Sequence, residues 1–121
     1  MATIPHTSLQ PDRILVDLDG VRVRRWSGMA NGDVGESIVL TRFNDRTVQI
    51  GGTFGVGGTV TFTGSNDGSQ WDTMRDVFNV AIGATSAKLI TLTEVPVYIR
   101  PEVTGDGTTS ITVTIAAVGR G

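Results

Sequence analysis

The chain has 121 residues, 39% of them hydrophobic and 18% charged, and carries a net charge of -2 at pH 7. That length supplies one domain with one core, and the slight negative balance excludes general nucleic-acid binding, which needs a basic surface. With no cysteine, the fold can use neither disulfides nor a thiolate metal site, so packing or assembly with other chains must stabilise it.

Sixteen glycines and abundant threonine favour strands joined by tight turns, an all-β composition. No apolar run approaches the roughly 20 residues that span a bilayer, and the N-terminus carries no basic-then-apolar leader, so neither a membrane partner nor an export signal is expected. Residues 1–12 contain Pro5 and Pro11 among polar residues without a period. They predict an extended N-terminal arm ahead of a single β-sandwich domain over residues 13–121. Ile4 and Leu9 are the arm's apolar anchors and candidate contact residues.

Residues 13–21 end an apolar run in Asp17-Leu18-Asp19-Gly20. This resembles the nucleophile motif of haloacid-dehalogenase-type phosphatases, in which Asp17 would attack phosphorus and Asp19 would serve as acid and base. The rest of that chemistry is missing. The only lysine is Lys88, no acidic pair for magnesium follows an apolar strand, and no amphipathic helix is evident. A strand whose Asp19-Gly20 turns the chain is the expectation, ahead of a calcium site at Asp17 and Asp19 that lacks regular ligand spacing.

Val21 to Trp26 alternates, with Val21 and Val23 on one face and Arg22, Arg24 and Trp26 on the other. The arginine-tryptophan face is expected to point outward, either as ordinary solvated arginines or as a candidate contact surface, because Arg and Trp most often carry interface energy. A loop through Asn31-Gly32-Asp33 then leads into a strand over residues 36–43, turning at Asn44-Asp45 into residues 46–50 as a hairpin. The glycine-rich stretch 51–58 lacks the Lys-Ser/Thr of a phosphate loop. It predicts a strand end with Phe54 inward and glycines at a turn or bulge.

Thr59 to Thr63 alternates around Val60 and Phe62 and runs into Ser65-Asn66-Asp67-Gly68, residues that tolerate a tight reversal. A core hairpin over residues 59–74 follows, with Trp71 packed inward. After residues 76–80, the small residues 81–87 read as a loop or edge segment, residues 88–93 as a strand, and residues 97–100 as a strand that Pro101 marks as an edge or an ending. Tyr98 and Arg100 on it are further candidate contact residues. Gly105-Asp106-Gly107 turns into a last strand over residues 110–116 with Ile111, Val113 and Ile115 inward. About eight strands at this spacing predict a two-sheet β-sandwich of jelly-roll type.

No catalytic residue, cofactor or metal site is expected. The single histidine, His6, lies in the arm, and the carboxylates fall mainly in turns. The patterns Gly-Thr-Phe-Gly, Val-Thr-Phe-Thr-Gly-Ser-Asn-Asp-Gly-Ser-Gln-Trp, Tyr-Ile-Arg-Pro and Gly-Asp-Gly-Thr-Thr-Ser-Ile-Thr-Val-Thr, spanning residues 51–116, resemble tailed-phage capsid decoration, or cement, proteins of jelly-roll type. The resemblance implies a non-enzymatic virion protein on the outer capsid surface that bridges neighbouring major capsid protein subunits. It also implies self-association, as a homotrimer rather than a dimer. A phage tail or baseplate structural protein is one alternative. The other is a carbohydrate-binding sandwich, since Ser65 to Trp71 is similar to the Ser-x-Asp-Gly-x-x-Trp turn of sugar-binding modules, and Trp26, Trp71 and Tyr98 are the large amphipathic rings available.

Overall fold

A computed structural model of the chain describes residues 3–5, 7–9, 21–39, 43 and 45–119. Asp17, Asp19 and His6 lie outside these residues. Among them are twelve strands: β1 Thr3–Ile4, β2 Thr7–Leu9, β3 Val21–Met29, β4 Val34–Gly35, β5 Ile38–Val39, β6 Asp45–Thr53, β7 Thr59–Ser65, β8 Asp72–Thr73, β9 Gly83–Ala84, β10 Lys88–Leu92, β11 Tyr98–Thr104 and β12 Ser110–Val118. No helix there is long and apolar enough to cross a membrane.

The strands form two sheets. The five-stranded sheet runs β10-β6-β12-β3-β2. The seven-stranded sheet runs β1-β4-β11-β7-β8, with β5 also on β11 and β9 also on β7. When β4/β5 and β8/β9 are each taken as one interrupted strand, the order within and between the sheets is that of an eight-stranded jelly roll, with β1 and β2 added at its edges.

Alternation puts the core between the sheets. Val48 and Ile50 of β6, Ile111, Val113, Ile115 and Ala117 of β12, Val60 and Phe62 of β7, and Ile99 and Val103 of β11 are all buried. Threonine recurs among their outward neighbours, and β12 shows the pattern without interruption.

Three local features depart from the simple reading of alternation. Residues 36–50 do not form a hairpin, because β5 belongs to the seven-stranded sheet and β6 to the other. Pro101 neither ends β11 nor lies on an edge. It stands in mid-strand opposite Phe62 of β7. On its other flank the ladder skips, pairing Ile99 with Ile38 and then Glu102 with Val34. Proline has no N–H to donate there, and the neighbouring strand is split into β4 and β5 at that level. The Glu36 backbone freed by the split finds other partners, donating to the Ile4 carbonyl at 2.7 Å and accepting the Trp26 indole N–H at 3.0 Å. Gly35 packs there so closely that an added Cβ would fall 2.6 Å from the Pro101 ring.

The third departure concerns Trp26. Arg22, Arg24 and Trp26 do share one face of β3, but it is the face toward the opposite sheet, since Trp26 pairs with buried Val113 and Arg24 with buried Ile115. The Trp26 side chain is 0% exposed and belongs to the core. It is therefore not part of an outward contact surface. A bulge follows, in which Ile111 pairs with Met29 and Val113 with Trp26. Gly28, at φ +63°, supplies the left-handed backbone that returns Met29 to the core face.

The glycine-rich stretch behaves as expected. β6 ends at Thr53, Phe54 packs partly against the core, and the turn at Gly55 and Gly57 has positive φ. Asp106 braces it by accepting the Val56 N–H at 2.9 Å, while Thr109 donates to the Phe54 carbonyl at 2.7 Å.

Candidate functional site

The most organised cluster of side chains outside the core lies on the outer face of the seven-stranded sheet. β11 turns Tyr98, Arg100 and Glu102 outward, opposite Ser65, Thr63 and Thr61 of β7. The loop after β7 then folds back over them. The Ser65 hydroxyl accepts the Gly68 N–H at 2.8 Å and donates to the Asp67 carboxylate at 3.0 Å. That carboxylate accepts the Ser69 and Gln70 N–H groups at 2.8 and 2.9 Å. The Gln70 and Ser69 amides and the Ser65 hydroxyl hold the Asp67 carboxyl below its usual range. Gly68, at φ +78°, completes the reversal.

This turn aims Trp71 at the sheet. The Arg100 guanidinium lies 3.9 Å from the centroid of its ring, and the Tyr98 ring stands 6.4 Å away, tilted by 55°. Arg100 also donates from Nε to the Thr63 hydroxyl at 3.3 Å, and that hydroxyl donates to Glu102 at 2.9 Å. The direct Arg100–Glu102 pair is longer, at 3.9 Å. A stacked, half-exposed cation of this kind stabilises by about 0.5–1 kcal/mol and the surface ion pair by less, so the cluster's effect is orientation rather than stability. It presents two rings and a guanidinium held in fixed positions. Beside it a groove runs between the 66–72 loop and Pro96, lined by Asn66, Asp67, Gln70 and Asp72. The Asn66 carboxamide accepts the Val97 N–H at 3.0 Å and ties the two walls together.

Of the residues singled out from sequence, Tyr98 and Arg100 meet in this cluster. Trp71 joins them on the outer face and does not belong to the core, contrary to the inward packing expected. Four candidates lie elsewhere. Ile4 is half-buried against the core at the sheet edge. Arg22 reaches the Val39 carbonyl at 3.4 Å and stacks 4.8 Å from the Phe43 ring. Arg24 is half-buried, and burial followed by the nearby charge of Arg22 lowers its pKa. Leu9 is placed by its backbone in β2, opposite Val23. Trp26 lies within the fold, so the seven candidates do not make one surface.

Two features escaped the sequence reading. Arg46 is 1% exposed on the inner face of β6, with Nε donating to the Phe43 carbonyl at 2.7 Å, and burial lowers its pKa. Its parity with Val48 and Ile50 was the available signal. The second is an apolar loop at residues 75–81, with Val77, Phe78 and Val80 exposed. Asp76 and Asn79 flanking its tip are turn residues that could have identified it. Among the described residues no three His, Cys, Asp or Glu side chains gather as a metal-ligating group.

No protein-family model and no curated protein matches the sequence. Solved structures do resemble the fold. The SPBc2 prophage-derived protein YomS superposes with a TM-score of 0.61 at 14% identity, covering 82% of this chain and 95% of that one. A cupin domain from Bordetella pertussis superposes with a TM-score of 0.52 at 14% identity, covering 99% of both chains. At this identity the likeness is one of fold, and the chain is an all-β, jelly-roll-like sandwich.

Proposed function

We propose that the chain is a non-enzymatic, phage-associated structural protein that binds the outer surface of a capsid and stabilises it by bridging neighbouring major capsid protein subunits. The observation that carries this reading is the jelly-roll sandwich shared with a prophage-derived protein over 95% of that protein's length. The resemblance of residues 51–116 to capsid decoration proteins adds the capsid as the site of action. The Trp71–Tyr98–Arg100 cluster fits the role, because pre-positioned aromatic and arginine side chains give contact energy at little entropic cost. In this reading that cluster, and no longer the β3 face, is the capsid contact.

The test is co-sedimentation of the purified protein with shells of the major capsid protein encoded in the same genome. Saturable binding is expected, with occupancy reduced at least tenfold by Arg100→Ala, which leaves the core intact. Absence of binding to shells in both expanded and unexpanded form overturns the proposal. A carbohydrate-binding role is the second reading, favoured by the outward Trp71 and Tyr98 beside a groove lined with Asn66, Asp67, Gln70 and Asp72. Ligands on a glycan array, lost with Trp71→Ala, would select it.

A further inference from the structure

One side of the sandwich is closed and the other is open. At the closed side the arm caps β4 with the two-residue β1 and β3 with the three-residue β2, whereas at the open side the edge is the five-residue β10, which among the described residues is paired with β6 alone. β10 reads Lys88-Leu89-Ile90-Thr91-Leu92. It has no proline and no bulge, and its Leu89 is 69% exposed. Natural sheets protect such edges or use them for pairing.

We propose that the chain pairs with a second copy of itself through β10, edge to edge across a two-fold axis at Thr91, merging the two five-stranded sheets into one. The inner residues of β10 are Ile90 and Leu92, which pair with Val48 and Arg46 on the core face of β6. A merged sheet must keep inner residues opposite inner residues, so an antiparallel two-fold register has to centre on a residue rather than between two. Centring on Leu89, Ile90 or Leu92 sets Lys88 against Ile90, Leu92 or Pro96. Centring on Thr91 sets Ile90 against Leu92, Leu89 against Thr93, and Lys88 against Glu94, placing an opposite-charge pair at each end of the seam. Lys88 and Glu94 are both exposed. A contact of this kind closes on itself as a dimer and does not propagate.

A strand edge by itself buries too little area for a stable dimer, and the apolar loop supplies more. Residues 75–81 leave the seven-stranded sheet on the same open side, between Met74, which donates to the Phe62 carbonyl, and Ile82, which donates to the Met74 carbonyl. The Arg75–Ala81 bridge closes the loop's base. Its tip is held by the Asp76 carboxylate, which accepts the Phe78 and Val80 N–H groups at 2.9 and 3.0 Å. Glu94 accepts the Arg75 N–H, so the residue that would meet Lys88 of the partner also anchors the loop. The loop so anchored beside the end of β10 carries Phe78, 82% exposed, as apolar area for the pairing to cover. This arrangement replaces the three-fold association implied by resemblance, and it does not depend on the capsid reading.

The chain has no cysteine, so one introduced thiol reports the register. Directly opposed residues of antiparallel strands have Cα atoms about 4.5–5.5 Å apart, within the disulfide range. Thr91→Cys is therefore expected to give a disulfide-linked dimer on mild oxidation. Leu89→Cys, whose two thiols would be separated by about 13 Å along the strands, should remain unlinked. In sedimentation equilibrium, Lys88→Glu should weaken the dimer at least tenfold, and adding Glu94→Lys should restore it, with circular dichroism confirming that each variant is folded. A wild-type chain that stays monomeric at about 100 µM, equal cross-linking of the two thiol variants, or failure of the charge exchange to restore pairing each overturns the proposal.

Discussion

The closed and open sides of the sandwich meet the same physical demand in different ways. At the closed side the backbone groups of β3 and β4 are taken by the arm, with Thr7 to Leu9 set against Arg25 to Val23 and Thr3 and Ile4 set against Val34 and Gly35. Beneath them Trp26 is sealed in the core, its indole N–H bound to the Glu36 carbonyl. At the open side β10 and the 75–81 loop leave a backbone edge and the apolar side chains of Val77, Phe78, Val80 and Leu89 in water. The difference teaches that the apolar residues of this chain are divided between two settings. The buried ones, Leu92, Met74 and Ile82 on the open side among them, hold the fold, and the exposed ones at the open side lie in water.

The largest effect is expected from breaking the closed side. Trp26→Ala should cost about 3–5 kcal/mol of unfolding free energy, the range for removing a buried tryptophan, as measured by urea denaturation. A change below about 1 kcal/mol would mean that the ring is not sealed as described. Deleting residues 1–9 should cost less, on the order of 2 kcal/mol, since it removes a few backbone hydrogen bonds each contributing about 0.5–1.5 kcal/mol together with the packing of Ile4.

A smaller effect, confined to acid, should come from the end of the sandwich that both sides share. The Thr108 hydroxyl, then the Val56 amide, and then the Thr108 amide hold the Asp106 carboxyl down from 3.8 to about 2. A folded-state pKa below the unfolded value means stability that is full above the unfolded value and is lost as pH falls toward the folded one. Melting temperature should therefore drop between about pH 4 and pH 2, and less steeply in Asp106→Asn, which should itself be weakened near neutrality. Phe78→Ser should have the smallest effect, within about 0.5 kcal/mol on the isolated fold. It sharpens the comparison because self-association should weaken while stability does not.

Much of the fold was legible because alternation and turn chemistry are local. Val60 and Phe62, and Ile111, Val113 and Ile115, read correctly as core, and the turns at Asn66-Asp67-Gly68 and around Gly55 fell where glycine and asparagine permit them. The candidate site was half legible. Tyr98 and Arg100 were identified on their own strand, but the stacking of Trp71 on Arg100 depends on a loop folding back across two strands, which no local pattern specifies. The split of β4 from β5 was illegible for a similar reason, since Pro101 acts on a strand more than sixty residues earlier in the chain.

The sequence alone determined that this is an all-β chain, where its strands alternate, and that Arg22, Arg24 and Trp26 share a face. Only the tertiary structure decided which way that face points. Period-two alternation fixes the relation between residues but not its sign, because either face can be buried. The sign was set by what covers each face: the opposite sheet lies over Trp26, whereas half-buried Trp71 rests on the outer face against Arg100 and Tyr98. The two tryptophans therefore lie opposite to expectation, Trp26 in the core and Trp71 on the outer face.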